Sequence, residues 1–157
     1  MASILIALVL GFFLFEFVVF LSHRFMHMRW TGPLWKAHQE HHALYNPKRP
    51  ETAEFHSVGW RSFRFRAIIF LVVVGLLFWI FPLSLAMPLL VEMSVLSALT
   101  SYMHDATHTA GHPLERFAWY RKLKREHWTH HANAKKNLGI LTFLFDRMVG
   151  SFRATGS

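Results

Sequence analysis

A chain of 157 residues with a formal charge of +8, 53% hydrophobic residues and no cysteine is of single-domain length, and it excludes a disulfide framework, a cysteine-based zinc site and thiolate chemistry. All 17 Lys and Arg fall in two blocks, Arg24 to Arg66 and Arg116 to Arg153, so the basic charge flanks apolar runs; that pattern speaks for membrane-flanking segments and against a nucleic-acid binder. Twelve histidines, none inside an apolar run, are the second departure from ordinary composition.

The first apolar run is Ile4 to Leu21, broken only by Glu16. Eighteen helical residues reach about 27 Å, close to the thickness of a bilayer's hydrocarbon core. No Lys or Arg precedes the run and basic residues follow it, which predicts an uncleaved membrane helix rather than a signal peptide. His23 and His27 come directly after it, then His38, His41 and His42 in the stretch HQEHH; His56 stands outside any pattern and reads as a surface residue. The second run, Ala67 to Phe81, follows Arg61, Arg64 and Arg66 and is ended by Pro82. The third, Leu83 to Met103, is interrupted by Pro88 and Glu92. So short a separation predicts a helical hairpin.

The expected fold is therefore an all-α integral membrane protein, a single domain over 1–157. About three transmembrane helices (4–21, 67–81, 83–103) lie beneath a cytosolic helical cap. The positive-inside rule places the N-terminus outside and residues 22–66 and 104–157 together in the cytoplasm, in a bacterial inner membrane or the endoplasmic reticulum. A two-span or re-entrant arrangement, open because the second run is short, keeps the histidines on one side as well. Glu16 and Glu92, inside spans, are candidates for function or for pairing with a neighbouring hydroxyl or backbone group.

The histidines are ordered. His23 and His27 are four apart, and so are His108 and His112; His127, His130 and His131 repeat the HxxHH of His38, His41 and His42. Successive gaps are 4, 11, 3, 1 and then 4, 15, 3, 1. Residues i and i+4 share a helix face. In HxxHH the last two rings lean to the side of the first yet diverge by about 100° from each other, which suits two metal ions better than one. The ten imidazoles of this duplicated cassette exceed what one four-coordinate ion takes. His104 shares a face with His108 and His112 if the third helix stays helical to Gly111, and is an additional ligand candidate or a group holding a ligand. Glu40, Asp105 and Glu126 lie beside candidate ligands and are plausible acceptors for imidazole N–H groups, or ligands themselves. The run Arg121 to Arg125 reads first as a patch facing lipid headgroups and second as a docking site for an acidic electron donor.

These residues resemble the membrane-bound fatty acid hydroxylase and sterol desaturase superfamily. HRFMH with HQEHH is similar to its first pair of histidine boxes, and HDATHTAGH followed by WYRKLKREHWTHH is similar to the later pair in fatty acid 2-hydroxylases. The tail NLGILTFLFDRMVGSF resembles the family's ending, with Phe145 in place of a Trp and Ser151 in place of a Thr. The pair His104-Asp105 also resembles bacterial carotenoid ring hydroxylases. The resemblance implies an oxidoreductase of monooxygenase type with two iron ions, for which zinc can substitute in purified protein, and O2 as co-substrate. The ligands would be His23, His27, His38, His41, His42, His108, His112, His127, His130 and His131. It implies a lipid substrate, a fatty acyl chain first and a carotenoid ring or sterol next, and a separate cytochrome b5-like or ferredoxin-like electron donor. A non-catalytic membrane metal-binding protein is the reading from a different class.

Overall fold

Helix α1 runs from Ala2 to Met26 in the computed structural model, which describes residues 2–46 and 60–154. His56 lies outside the described residues. A 3-10 turn, Arg29–Thr31, and Gly32 at φ +58° redirect the chain into α2, Pro33–Leu44. Proline at the first helical position suits that start, since its missing N–H would be unpaired there anyway. Helix α3 is Trp60–Ile80 and α4 is Leu83–Thr107, with Pro82 at the N-cap of α4 and Pro88 inside it. A second 3-10 turn, Pro113–Arg116, leads into α5, Ala118–Ala132, and the short α6, Leu144–Met148, closes the described chain. No strand occurs among the described residues.

Two helical stretches are long and apolar enough to cross a membrane: Ile4–Met26 and Leu83–Thr107. The described apolar part of α3, Ala67–Ile80, is shorter than a full span. Along α1 and α4 the large side chains face outward, among them Leu5, Ile6, Leu10, Leu83, Val91 and Val95, and Trp79 of α3 does the same. An apolar band of that extent is unfavourable against water and at ease against lipid. Inside, Ala7 and Phe15 of α1 pack on Leu77 of α3 and on Leu89 and Met93 of α4. Gly11 permits the close approach of α1 to α4: a Cβ there would stand 2.6 Å from Leu89 Cδ2 and run into the Glu92 carboxylate. Of the two carboxylates inside the membrane-length helices, Glu16 accepts a hydrogen bond from the Thr142 hydroxyl, whereas Glu92 Oε2 has no hydrogen-bond partner among the described residues.

Since α1 and α4 both end at histidines, the two helices run parallel and deliver their C-terminal ends to one place. Beyond those ends a second core forms from Met103 and Ala106 of α4, Tyr120 and Leu123 of α5, and Phe143. It holds α5 across the end of α4. Packing of α6 on α1, with Phe145 against Phe17 and Phe20, fixes the tail against the first helix.

Candidate metal centre

The histidines converge in two groups. His23, His27, His38, His42 and His130 form the first; His41, His108, His127 and His131 form the second, and within each the candidate ligand atoms all lie within 4.8 Å of one another. Each HxxHH segment divides between them. On α2, His38 and His42 share a face and enter the first group, while His41 turns to the second. On α5, His127 and His131 enter the second group, while His130 crosses to the first. The divergence expected from the helical period is the feature that divides the histidines into two groups rather than one.

The separations within the first group are those of a coordination sphere. Nε2 of His38 is 3.0 Å from Nε2 of His27, His42 Nε2 is 3.1 Å from His38 Nε2, and His130 Nε2 is 3.2 Å from His27 Nε2 and 3.1 Å from His42 Nε2. With metal–nitrogen bonds of about 2.0–2.1 Å, neighbouring ligand nitrogens stand about 3.0–3.4 Å apart. His130 Nδ1 donates to Lys136 O at 2.9 Å and His23 Nδ1 donates to Leu138 O at 2.6 Å, so the proton is on Nδ1 and Nε2 carries a bare lone pair. A bare Nε2 of this kind is the form in which a neutral imidazole takes a metal ion. In the second group, His127 Nε2 is 3.0 Å from His108 Nε2. Both ring nitrogens of His41 and of His131, and Nδ1 of His108 and His127, are buried without a hydrogen-bond partner. A metal ion would take up one nitrogen of each of these four rings, which as buried polar atoms otherwise lack a partner.

Burial keeps the rings neutral, the form that binds metal. Desolvation lowers His27 to about 4, His42 to about 3 and His108 to about 2. It pushes His38, His41, His127, His130 and His131 well below the ordinary imidazole value, and their histidine neighbours push in the same direction.

His112 is the one member of the expected ten that the structure places elsewhere. Helix α4 stops at Thr107, with His108 as its C-cap, and does not continue to Gly111, where φ is +66°. The chain turns, and His112 caps the next turn instead: its Nδ1 accepts from Leu114 N at 3.3 Å, and its Nε2 lies 3.4 Å from the Tyr102 hydroxyl. His104 takes the place beside His108. Its ring is 4.9 Å from those of His41, His108 and His127. The duplicated cassette thus reads 23/27/38/41/42 and 104/108/127/130/131, with successive gaps of 4, 11, 3, 1 and 4, 19, 3, 1.

Of the three carboxylates, Asp105 Oδ1 is 3.5 Å from His104 Nδ1. Glu40 is exposed and has no hydrogen bond to a described histidine. Glu126 is buried, its carboxyl raised by desolvation, and its side chain meets Lys122 at 3.9 Å rather than a histidine.

The groups that do hold ligand rings come from the tail, whose role composition and spacing did not suggest. Asn137, fully buried at φ +52°, donates from Nδ2 to Glu126 O and Arg153 O and accepts from Arg153 N. Asp146, also fully buried, accepts from Leu138 N at 2.9 Å, Gly139 N at 2.6 Å and Ser151 Oγ at 2.6 Å. The clip sets the carbonyls of Lys136 and Leu138 against His130 and His23. The Asn-x-Gly and Asp of the tail were the available signal. Tyr45, buried and stacked at 4.1 Å on His108, is the other neighbour the sequence reading passed over.

Neither the curated proteins nor the solved structures searched contain a significant match to this chain. The family model for fatty acid hydroxylases matches residues 8–151, which include α1 from residue 8 onward, α2, α4, α5, the Asn137–Asp146 clip and every histidine of both groups. The chain belongs to the fatty acid hydroxylase family.

Proposed function

We propose that this protein is an O2-dependent di-iron monooxygenase that hydroxylates a C–H bond of a membrane lipid, with a fatty acyl chain as the first choice of substrate. The observation that carries the reading is the pair of neutral imidazole groups gathered where two membrane-length helices end. His23, His27, His38, His42 and His130 would hold one ion; His41, His108, His127 and His131, with His104 beside them, would hold the other. Iron in such a pair supplies the dioxygen chemistry that an unactivated C–H requires, and imidazole suits iron as well as zinc. A histidine-only donor set leaves no nucleophile or acid–base pair to invoke.

The chain's own part is positioning. Lys136 O and Leu138 O fix the tautomers of His130 and His23, so that Nε2 of each ring faces inward. Tyr45 and the second core shield the centre from water. An apolar groove of about 320 Å³ lies between α4 and the cap, walled by Leu99, Met103, Trp119, Leu123, Leu141 and Phe143. It offers an acyl chain a way up from the bilayer between α4 and α5. The orientation that fits puts the N-terminus outside, α3 as a third and tilted or shallow span, and the histidine cap in the cytoplasm, where a reducing electron donor is at hand. The test supplies iron-loaded protein with a reductant, candidate lipids and 18O2. A hydroxylated lipid carrying the label is the expected result; a new double bond without oxygen, or label from water, overturns the monooxygenase reading.

A further inference from the structure

The basic run of α5 is divided between two faces. Trp119, Lys122, Leu123 and Glu126 turn toward Leu99 and Met103, inside the apolar stretch of α4. Arg121, Lys124, Arg125 and Trp128 turn the other way, into an open groove of about 540 Å³ whose far wall is Glu115, beyond the end of α4. The groove is on the side of α5 away from the membrane segment, so lipid headgroups are not its natural partner. Glu115 pairs with Lys124 at 2.7 Å, and the Arg121 guanidinium donates to the carbonyls of Glu115 and Arg116, at 2.7 and 3.1 Å; among the described residues neither Arg121 nor Arg125 makes an ion pair with a carboxylate. Arg121 and Arg125 are exposed. Trp128 lines the groove, and its indole reaches the metal centre: the ring lies 5.5 Å from that of His108 and 5.5 Å from that of His131, both of the second group, and its Nε1 is held by Thr107 O at 3.1 Å.

We propose that this groove docks a small acidic one-electron carrier protein and that Trp128 bridges the carrier to the second histidine group. The proposal rests on the di-iron reading above. Opposite charge steers the carrier to Arg121 and Arg125, and a single ring then separates the groove from two candidate ligands. Each transfer oxidises the carrier's redox centre by one electron and reduces one ferric ion to ferrous. Two transfers and two protons from solvent balance the reaction, RH + O2 + 2e− + 2H+ giving ROH + H2O.

The experiment uses the iron-loaded protein in nanodiscs of zwitterionic lipid, with the soluble haem domain of cytochrome b5 as the acidic probe. Binding should weaken as salt rises, and R121E/R125E should weaken it by about tenfold or more. At saturating probe, W128L should slow haem oxidation by about tenfold or more, with binding and metal content unchanged; W128F should fall between. Dithionite, which needs no docking surface, should reduce the charge-reversal variant as fast as the unaltered protein. Unchanged probe binding in R121E/R125E overturns the proposal, as does unchanged haem oxidation in W128L. Absence of probe binding to the unaltered protein overturns it too, and so does loss in R121E/R125E of affinity for anionic vesicles alone, which would make the patch a headgroup contact. If dithionite-reduced protein still hydroxylates lipid in any of these cases, the docking proposal fails while the proposed function stands.

Discussion

Replacing Asp146 by Asn isolates the tail clip from the histidines it serves. The carboxylate accepts from Leu138 N, Gly139 N and Ser151 Oγ in a fully buried site. Asn keeps the shape but loses the charge and turns an NH2 toward at least one of these donors. One buried donor left unmet costs about 1–3 kcal/mol, and weakening the remaining charge-assisted bonds adds about 1 kcal/mol. The total of about 2–4 kcal/mol is a large part of a marginal stability of about 5–15 kcal/mol. The clip borders only the first group, through Leu138 O on His23 and Lys136 O on His130. Metal affinity should therefore fall there by about 10–100-fold, the usual consequence of loosening a group that orients a ligand, while the second group keeps its ion. Elemental analysis after a graded chelator challenge should show D146N passing from two equivalents to one under conditions that leave the unaltered protein at two. Circular dichroism should show the helix content retained. Equal chelator resistance in the two proteins, or loss of both ions together, would refute the reasoning.

Gly139→Ala should act on the same clip by a different route: the new Cβ would stand 2.9 Å from Phe143 Cα and 3.0 Å from Phe143 N, backbone atoms that cannot swing aside. A loss of about 1–3 kcal/mol in thermal unfolding is expected, and Gly139→Ala with an unchanged melting temperature would show that the loop yields. His112→Ala should retain two metal equivalents, since the ring caps a turn outside both groups, whereas His108→Ala should lose one; elemental analysis of the two variants decides it. Acid should unfold the metal-free protein. His27, His42 and His108 are held to about 4, 3 and 2 by burial, below the unfolded value of 6.5, so their contribution is full above 6.5 and is lost as pH falls toward those values. Melting temperatures of metal-free protein at pH 7.5 and 5 should fall in that order; a rise would contradict the burial of neutral rings.

Much of the fold was legible because it follows from patterns with a fixed period or a fixed length. The runs beginning at Ile4 and Leu83 are long enough to be membrane helices by composition alone, and Pro82 punctuates the hairpin as expected. The split of each HxxHH between two centres is a consequence of 100° per residue and needs no tertiary information. What was not legible is where a helix stops. The spacing of His108 and His112 equals that of His23 and His27, and only the break at Thr107 and the turn at Gly111 make His104 rather than His112 the neighbour of His108. Propensity does not fix such an end, because the ends of helices are set by what the last carbonyls find to bond. Asp105 lies 3.5 Å from His104 Nδ1, whereas Glu40 has no hydrogen bond to a described histidine, for a related reason. Adjacency in sequence to a ligand, as in Glu40, puts a side chain about 100° away from it on a helix. The groups that do orient His130 and His23 are backbone carbonyls of the loop after α5, six residues beyond His130 but distant in sequence from His23.

The crossing of His41 and His130 has a consequence for assembly. The first group needs α1, α2 and one ring of α5; the second needs α4, α5 and one ring of α2. Neither centre can be completed by one half of the chain, although each half carries the full cassette. The two halves can meet only if the parallel ends of α1 and α4 lie side by side, which is the contact that Gly11 permits against Leu89. The small residue in the membrane and the histidines in the cap are thus parts of one constraint. Ions bound at both groups would tie α2 to α5 twice, through His41 and through His130, and so would hold the cap closed over the helix ends. Metal binding and docking of the cap are then the same event seen from two sides, since a site that does not exist in the unfolded chain returns its binding energy as folding energy.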